Sequence, residues 1–283
     1  MLPRSHKARW GYSAAACLTA VAALVAGVVG TARPDRPGAA APPAAPGPSI
    51  SAATAEPAAP APAGLPVFGY FRSIAGFPAD PAPHSTAPIT EGLRIVGKRV
   101  VYDAPGGAPR AVLPSSISGL PVTVPIVQRR TGWVAVLLPS VNRRVGWLTA
   151  DDAPIRALPD QLVLRRRTHQ LTWTHDGVQA GRWTVATGAA ATKTPLGRSF
   201  VLGRVSARGA VYAGLDALAL GSVPDDRDAL PASLRAGHTA LHSWHRSSAF
   251  GRSTSNGCIR VPKSGQKTLL TNIAPGTVVV VID

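Results

Sequence analysis

A run of alanine and proline residues from Arg33 to Gly64 constrains the architecture of this chain more than any other feature. A segment of this composition lacks the large apolar side chains that a core requires, so we expect it to be disordered or semi-extended. We therefore assign residues 33–90 to an Ala/Pro-rich disordered linker. In polyproline form, at about 3 Å per residue, the Ala/Pro run would reach up to roughly 90 Å. The folded part of this 283-residue chain must lie after it.

The segment before the linker is apolar and has a basic flank. Arg4, Lys7 and Arg9 precede a stretch without charged residues from Gly11 to Ala32. About twenty helical residues are enough to cross a hydrocarbon core. Residues 1–32 therefore fit a signal peptide or a membrane anchor, and the length of the apolar stretch favours the anchor. Both alternatives predict an exported protein in the cell envelope, membrane-anchored or secreted.

The chain is strongly basic, with 30 Lys and Arg against 14 Asp and Glu and a formal net charge of +16. A basic surface can indicate nucleic-acid binding, but the run of three arginines at 165–167 is short and has no aromatic residues interleaved with it. Export also argues against a nucleic-acid partner. A basic surface would instead be attracted to the carboxylates and phosphates of a cell envelope, and the alternative is that the charges only keep the protein soluble.

Residues 91–156 consist of short β-rich runs separated by turns that contain Gly, Pro or Asn. This spacing predicts a small barrel or sandwich. Trp133 and Trp147 each follow a glycine, and a polar turn lies between them. The arrangement resembles the closing hairpin of a bacterial SH3-like domain. The two tryptophans could line a ligand groove or fill a core, and we favour the core.

The last part of the chain continues as mainly β structure with one helix. "HQLTWTHDGVQAGRWTVATG" predicts a hairpin that turns at Asp176-Gly177, where positive φ angles are needed. A helix is predicted to start near Pro262 and to stop before Pro275-Gly276. "TVVVVID" predicts a buried final strand. We interpret residues 212–236 as a long loop that could cover a site.

The soluble part contains a single cysteine, Cys258, because Cys17 lies in the apolar N-terminal stretch. An internal disulfide and a zinc site built on cysteine pairs are therefore excluded. A buried structural thiol, an intermolecular bridge and a nucleophile remain possible. The loop residues Ser253 to Gly257 that precede the cysteine are small and polar, which disfavours apolar burial. We favour a nucleophile.

A thiol nucleophile needs a base, and "GHTALHSWHR" offers three histidines. In an extended strand, His238 and His242 would share one face, opposite Leu241. The three histidines could alternatively bind a metal, but no acidic residue accompanies them. Solvent-exposed histidines near a loop are the third interpretation, which suits His238 and His245 better than His242.

Three motifs in this order resemble the L,D-transpeptidases of the YkuD type. "TALHSW" is followed, after a Gly/Ser-rich loop, by "STSNGCIRV"; "VATGAAATKTPLGRSFVLGRV" lies upstream, and "PKSGQKTLLTNIAPGTVVVVID" closes the chain. The resemblance covers residues 159–283. It implies a catalytic β-sandwich or barrel with a C-terminal helix, which the SH3-like domain would precede.

The resemblance also implies the roles of the catalytic residues. Cys258 would be the nucleophile, and His242 would accept and later return its proton. The main-chain carbonyl of Ser243 would orient the imidazole.

The loop before the cysteine would bind the substrate. Backbone N–H groups of Asn256, Gly257 and Cys258 would form an oxyanion hole, and glycine would allow the sharp turn. Arg260 would stiffen the loop or pair with a substrate carboxylate. The family usually has histidine where this chain has Asn256, which cannot titrate. That departure is tolerable if His242 is the base.

The implied function is that of a peptidoglycan L,D-transpeptidase, which forms 3→3 cross-links through a cysteine thioester and whose thiol carbapenems acylate. Its partners would be peptidoglycan stem peptides, the cell wall polymer and, through the N-terminal segment, the membrane. No cofactor and no metal are implied. The alternatives are an L,D-carboxypeptidase of the same fold, or a catalytically decayed protein that binds the wall through residues 91–156.

Overall fold

The computed structural model describes residues 54–283 except 71, 152, 153, 208 and 236. The described residues all belong to one compact unit, Ser51–Asp283. The predicted signal peptide or anchor and the first part of the predicted linker lie outside the described residues. Within the described ranges, none of the helices has the length and hydropathy that crossing a membrane requires.

The described residues form nineteen strands, one α-helix and three short 3-10 helices. The first nine strands are β1 (Glu91–Arg94), β2 (Lys98–Tyr102), β3 (Pro109–Pro114), β4 (Ser116–Ile117), β5 (Leu120–Pro121), β6 (Thr123–Arg130), β7 (Trp133–Leu137), β8 (Val145–Thr149) and β9 (Ile155–Ala157). The next ten are β10 (Asp160–Arg165), β11 (Gln170–His175), β12 (Val178–Thr184), β13 (Thr187–Gly188), β14 (Gly197–Val205), β15 (Ala217–Leu220), β16 (Ala240–Ser243), β17 (Ser253–Ser255), β18 (Ile259–Val261) and β19 (Val278–Ile282). The helices are α1 (Lys263–Asn272) and the 3-10 turns Ala210–Tyr212, Ala232–Leu234 and Ser247–Ala249.

The first sheet has seven strands in the order β3-β2-β8-β7-β6-β1-β9, while β4 and β5 pair separately. The hairpin of β7 and β8 carries the two tryptophans that the sequence singled out. Trp133 is 1% exposed and Trp147 is 6% exposed, so both are buried in the folded chain. The SH3-like assignment of residues 91–156 stays a prediction.

The second sheet has eight strands in the order β12-β11-β10-β19-β14-β15-β16-β18 and forms a nearly closed, barrel-like surface. The final strand β19 lies in its interior, parallel to β10 and antiparallel to β14. The run of valines at 278–281 is buried, as strands covered on both faces require. The predicted mainly β fold with one C-terminal helix is confirmed.

Local sequence signals predicted several elements of this part of the chain correctly. Asp176 and Gly177 both have positive φ, at 48° and 77°, and they join β11 to β12 as predicted. Helix α1 has Pro262 at its N-cap and ends at Asn272. The interpretation of 212–236 as a loop was wrong in part, because Ala217–Leu220 forms the buried strand β15, which pairs with both β14 and β16.

The second part of the predicted linker is packed onto the folded unit. Phe68, Ile74 and Phe77 are buried in the core of the first sheet. Backbone hydrogen bonds of 2.9 Å join Pro66 and Phe68 to Val112 of β3. The prediction of a disordered linker up to residue 90 was therefore wrong for these residues, because their aromatic and aliphatic side chains gain more by burial than the backbone loses by ordering.

The two sheets share a core. Phe200 and Leu202 of β14 pack into the apolar cluster of the first sheet. The loop between β7 and β8 also reaches the second sheet, where the N–H of Ser140 donates to the carbonyl of Gly221 at 2.6 Å. The amide of Asn142 donates to the carbonyl of Val223, also at 2.6 Å. This loop therefore packs against the part of the second sheet that contains β15 and His238.

Candidate active site

Two parallel strands place the predicted nucleophile and base on one face. Strands β16 and β18 pair with His242 opposite Arg260 and Leu241 opposite Ile259. Because side chains alternate along a strand, Cys258, Arg260 and His242 lie on the same face. Leu241 and Ile259 point to the other face, where they are fully buried with helix α1. The register of the sheet thus places the two residues that the motifs paired on one face.

The imidazole of His242 is held in one tautomer. The residue is buried, and its Nδ1 lies 2.8 Å from the carbonyl oxygen of Ser243. A carbonyl can only accept, so Nδ1 carries the proton and Nε2 keeps its lone pair. Burial lowers the pKa of His242 to about 4; the Ser243 hydrogen bond opposes this change and the charge of Arg260 adds to it. His242 is therefore a neutral base at neutral pH.

The Cys258 thiol is also neutral in the resting site. Cys258 is a free cysteine, and the residue as a whole is partly exposed although its sulfur is desolvated. Burial raises its pKa, while a hydrogen bond from the Ala240 backbone and the charge of Arg260 oppose the rise. A neutral thiol next to a neutral imidazole cannot rely on a preformed thiolate. The predicted nucleophilic role of Cys258 would therefore require the thiol proton to leave as the sulfur attacks.

The loop before Cys258 is tightly bonded. Gly257 has a φ of 101°, which only glycine adopts without strain. The hydroxyl of Ser255 accepts from the Gly257 N–H at 3.2 Å and donates to the Cys258 carbonyl at 2.6 Å. The Gly257 N–H is therefore already engaged. Asn256 is exposed, and the oxyanion role of this loop stays a prediction.

Arg260 contacts the loop and an aromatic ring. Its guanidinium lies 3.6 Å from the ring centre of Trp244. Its Nη1 donates to the carbonyl oxygen of Thr254 at 3.2 Å. These contacts favour the loop-stiffening alternative for Arg260. Its Nε is buried and has no hydrogen-bond partner among the described residues.

A protein-family model matches the part of the chain that contains this site. Residues 159–281 match the family model of the YkuD L,D-transpeptidase catalytic domain. These residues form a YkuD domain. A search of curated proteins found no match.

Solved structures of L,D-transpeptidases are similar to this chain at low sequence identity. A mutant enzyme from Enterococcus faecium is 18% identical, over 44% of this chain and 50% of its own, with a TM-score of 0.32. L,D-transpeptidase 3 from Mycobacterium tuberculosis is 15% identical, over 50% of this chain and 76% of its own, with a TM-score of 0.36. An enzyme from Mycobacterium smegmatis is 14% identical, over 53% and 90%, with a TM-score of 0.36. This chain thus spans half the length of the E. faecium protein.

A tyrosine of the YkuD domain that the sequence motifs did not single out also lies at this site. The ring of Tyr212 meets the His242 imidazole edge-on, with centroids 4.9 Å apart and an interplanar angle of 87°. The Ser243 hydroxyl donates to the carbonyl oxygen of Tyr212. Tyr212 lies in a 3-10 turn with no motif of its own, so only the fold reveals its position.

A second unexpected tyrosine comes from outside the YkuD domain. Tyr70 stacks on His238 with ring centroids 4.2 Å apart and an interplanar angle of 21°. Burial raises the pKa of Tyr70, and the nearby Cys258 raises it further. The Ser140 hydroxyl oxygen lies 2.9 Å from the carbonyl oxygen of Gly69. Tyr70 is therefore near enough to the thiol for the two groups to interact electrostatically, and it lies in a segment whose sequence carried no signal for a site.

The interpretation of His238 as a solvent-exposed histidine was wrong. The residue is buried, and its Nδ1 donates to the carbonyl oxygen of Leu220 at 2.5 Å. Its Nε2 lies 2.9 Å from the hydroxyl of Ser140. His238 connects the β7–β8 loop to the YkuD sheet. His245 is exposed, as expected.

Proposed function

We propose that this chain is a peptidoglycan L,D-transpeptidase that forms 3→3 cross-links through a thioester on Cys258. The main support is the placement of Cys258 and His242 on one face of two paired strands within a YkuD domain, with Nδ1 of His242 bonded to the Ser243 carbonyl. This arrangement leaves Nε2 as the acceptor for the thiol proton.

In the first step, the Cys258 sulfur attacks the carbonyl carbon of the third residue of a stem peptide. The thiol proton passes to Nε2 of His242 as the S–C bond forms. The C–N bond to the terminal D-alanine then breaks, and His242 gives its proton to the leaving amine. The carbonyl of Ser243 stabilises the imidazolium that exists between the two transfers.

In the second step, an amine from a neighbouring stem attacks the thioester carbonyl. His242 accepts a proton from that amine, the C–S bond breaks, and the sulfur recovers the proton. The products are one new amide and the original thiol. Backbone N–H groups of the 256–258 loop would stabilise the oxyanion in both steps; the Gly257 N–H would first have to leave the Ser255 hydroxyl.

The setting of the reaction is part of the proposal. The basic N-terminal flank and apolar stretch would export the chain, as an anchored or secreted protein of the cell envelope. The net charge of +16 would favour the anionic wall. A structure of the L,D-transpeptidase LdtMt1 is a complex with imipenem, which is a carbapenem, and we propose that carbapenems acylate Cys258 of this chain.

Product analysis distinguishes the proposed activity from its alternatives. The full chain is incubated with disaccharide tetrapeptides, and the products are separated by liquid chromatography with mass spectrometry. Dimers with 3→3 links support transfer, whereas tripeptides alone would make the chain an L,D-carboxypeptidase. The Cys258→Ala variant is the matched control and should give neither product. Binding to sacculi with no turnover by the wild type would indicate a decayed enzyme.

A further inference from the structure

An aromatic cluster on the first sheet has no role in the site described above. It contains Tyr102 on β2, Trp133 on β7 and Trp147 on β8. Tyr102 and Trp133 meet edge-on with centroids 5.2 Å apart. The guanidinium of Arg130 lies 5.5 Å from the ring centre of Trp147.

The end of the Ala/Pro-rich run lies on this cluster. The indole Nε1 of Trp133 donates to the carbonyl oxygen of Glu56 at 2.8 Å. The hydroxyl of Tyr102 donates to the carbonyl oxygen of Ala59 at 3.0 Å, and Ala59 also packs against the cluster. The two accepting residues are three positions apart. A polyproline II helix has three residues per turn, so carbonyls at this spacing would project to the same side of such a helix.

Two glycines let the run approach the sheet closely. A carbon added to the backbone of Gly132 would lie 2.5 Å from Cβ of Ala55. A carbon added at Gly106 would lie 3.2 Å from Cβ of Glu56. The surface therefore approaches the backbone of the run closely as well as donating hydrogen bonds to its carbonyl oxygens.

We propose that Tyr102, Trp133 and Trp147 form a binding groove for polyproline II segments, and that its ligand is this chain's own Pro57-Ala58-Ala59-Pro60. Such segments suit aromatic grooves because their carbonyls are free and little conformational entropy is lost on binding. The docked stretch fixes where the linker ends and the folded unit begins. The same tetrapeptide occurs at residues 43–46, which supplies a second sequence for testing the groove.

Proteolysis of the full chain measures whether the segment is docked. Elastase cleaves after alanine, and the Ala58–Ala59 bond lies within the docked stretch. We expect cleavage there to be at least ~10-fold slower than in a free peptide of residues 54–64, because cleavage requires the segment to leave the groove. Tyr102→Phe removes one hydrogen bond and should speed cleavage ~5-fold. Tyr212→Phe makes the same chemical change at the YkuD site and should leave the rate unchanged.

Cleavage of the wild type as fast as the free peptide would overturn the proposal. An unchanged rate in Tyr102→Phe would also overturn it, because this variant loses only one oxygen and should retain the fold, which its circular dichroism spectrum checks.

The preference for polyproline II is tested by the indole N–H resonance of Trp133 in the full chain, assigned with Trp133→Phe. Replacing both Pro57 and Pro60 by alanine keeps the two accepting carbonyls but removes the preorganisation. We expect the resonance to shift toward that of a solvent-exposed indole, and an added peptide of residues 41–48 to reverse the shift. A resonance that is unchanged by the double substitution would show that the groove does not select polyproline II. A shift that the added peptide fails to reverse would show the same.

Discussion

Nδ1 of His242 donates to the carbonyl oxygen of Ser243 across 2.8 Å, and this contact decides which ring nitrogen can act as a base. It leaves Nε2 as the acceptor on the face that also carries Cys258. The same burial that holds the ring lowers its pKa to about 4. The site is therefore preorganised for proton transfer rather than for a resting ion pair.

Replacing the base should slow acylation of the thiol without abolishing folding. We expect His242→Gln to lower the rate of Cys258 acylation by a carbapenem by ~10²–10⁴-fold, the usual contribution of a general base. His245→Gln, at the exposed neighbouring histidine, is the matched control and should acylate at the wild-type rate. Stopped-flow absorbance measures both. Equal rates in the two variants would remove His242 from the mechanism.

The pH dependence of acylation should reflect the lowered pKa of His242. Protonated imidazole cannot accept the thiol proton, so the rate falls as the pH falls through the pKa of His242. We expect the half-maximal rate on the acidic side near pH 4, the value to which burial lowers this pKa. An unperturbed histidine would give a midpoint near 6.5. A measured midpoint at that higher value would show that the imidazole is not desolvated.

The ring of Tyr70 should protect the thiol from reagents in solution. Burial is the main cause of the raised pKa of Cys258. We expect Tyr70→Ala to admit water, to lower this pKa, and to speed alkylation by iodoacetamide ~3- to 10-fold, because less of the thiol is then held in its protonated form. Tyr70→Phe keeps the stack on His238 and should react at the wild-type rate. Peptide mapping separates alkylation of Cys258 from that of Cys17. An unchanged alkylation rate of Cys258 in Tyr70→Ala would contradict the shielding of the thiol by Tyr70.

A buried ion pair should anchor the segment that precedes the first sheet. The Asp80 side chain is 0% exposed and pairs with Arg198 of β14, which is 7% exposed. Asp80→Ala leaves the buried guanidinium without its partner and should cost about 3–5 kcal/mol of unfolding free energy. Glu91→Ala breaks the exposed pair with Arg129 and should cost ~1 kcal/mol or less. Guanidinium denaturation compares them, and equal costs would contradict the anchoring role.

The elements that the sequence predicted correctly depend on local chemistry. The Asp176-Gly177 turn requires two positive φ angles, which this pair tolerates. Helix α1 follows a proline at its N-cap. Motif order and strand alternation also pointed to a shared face for Cys258 and His242, which the register of β16 and β18 supports; their catalytic roles stay predictions.

The elements that the sequence missed depend on distant contacts. The prolines between residues 65 and 90 resemble those of a linker, and only packing against β3 and β14 reveals that Phe68 and Phe77 belong to the core. Tyr70 and Ser140 reach the site from another part of the chain, so no motif near Cys258 could indicate them. Strand β15 has a short Ala-Leu sequence without β-branched or aromatic residues, and it is a strand because β14 and β16 lie on either side of it.

The central claim is that the Cys258 sulfur is the atom that substrates acylate, and the intact mass of the full chain after incubation with a carbapenem tests it most directly. We predict that the wild-type mass increases by that of one drug molecule, that the adduct maps to the peptide containing Cys258, and that Cys258→Ser gains no mass. A wild-type chain without an adduct, or an undiminished adduct on Cys258→Ser, would contradict this account.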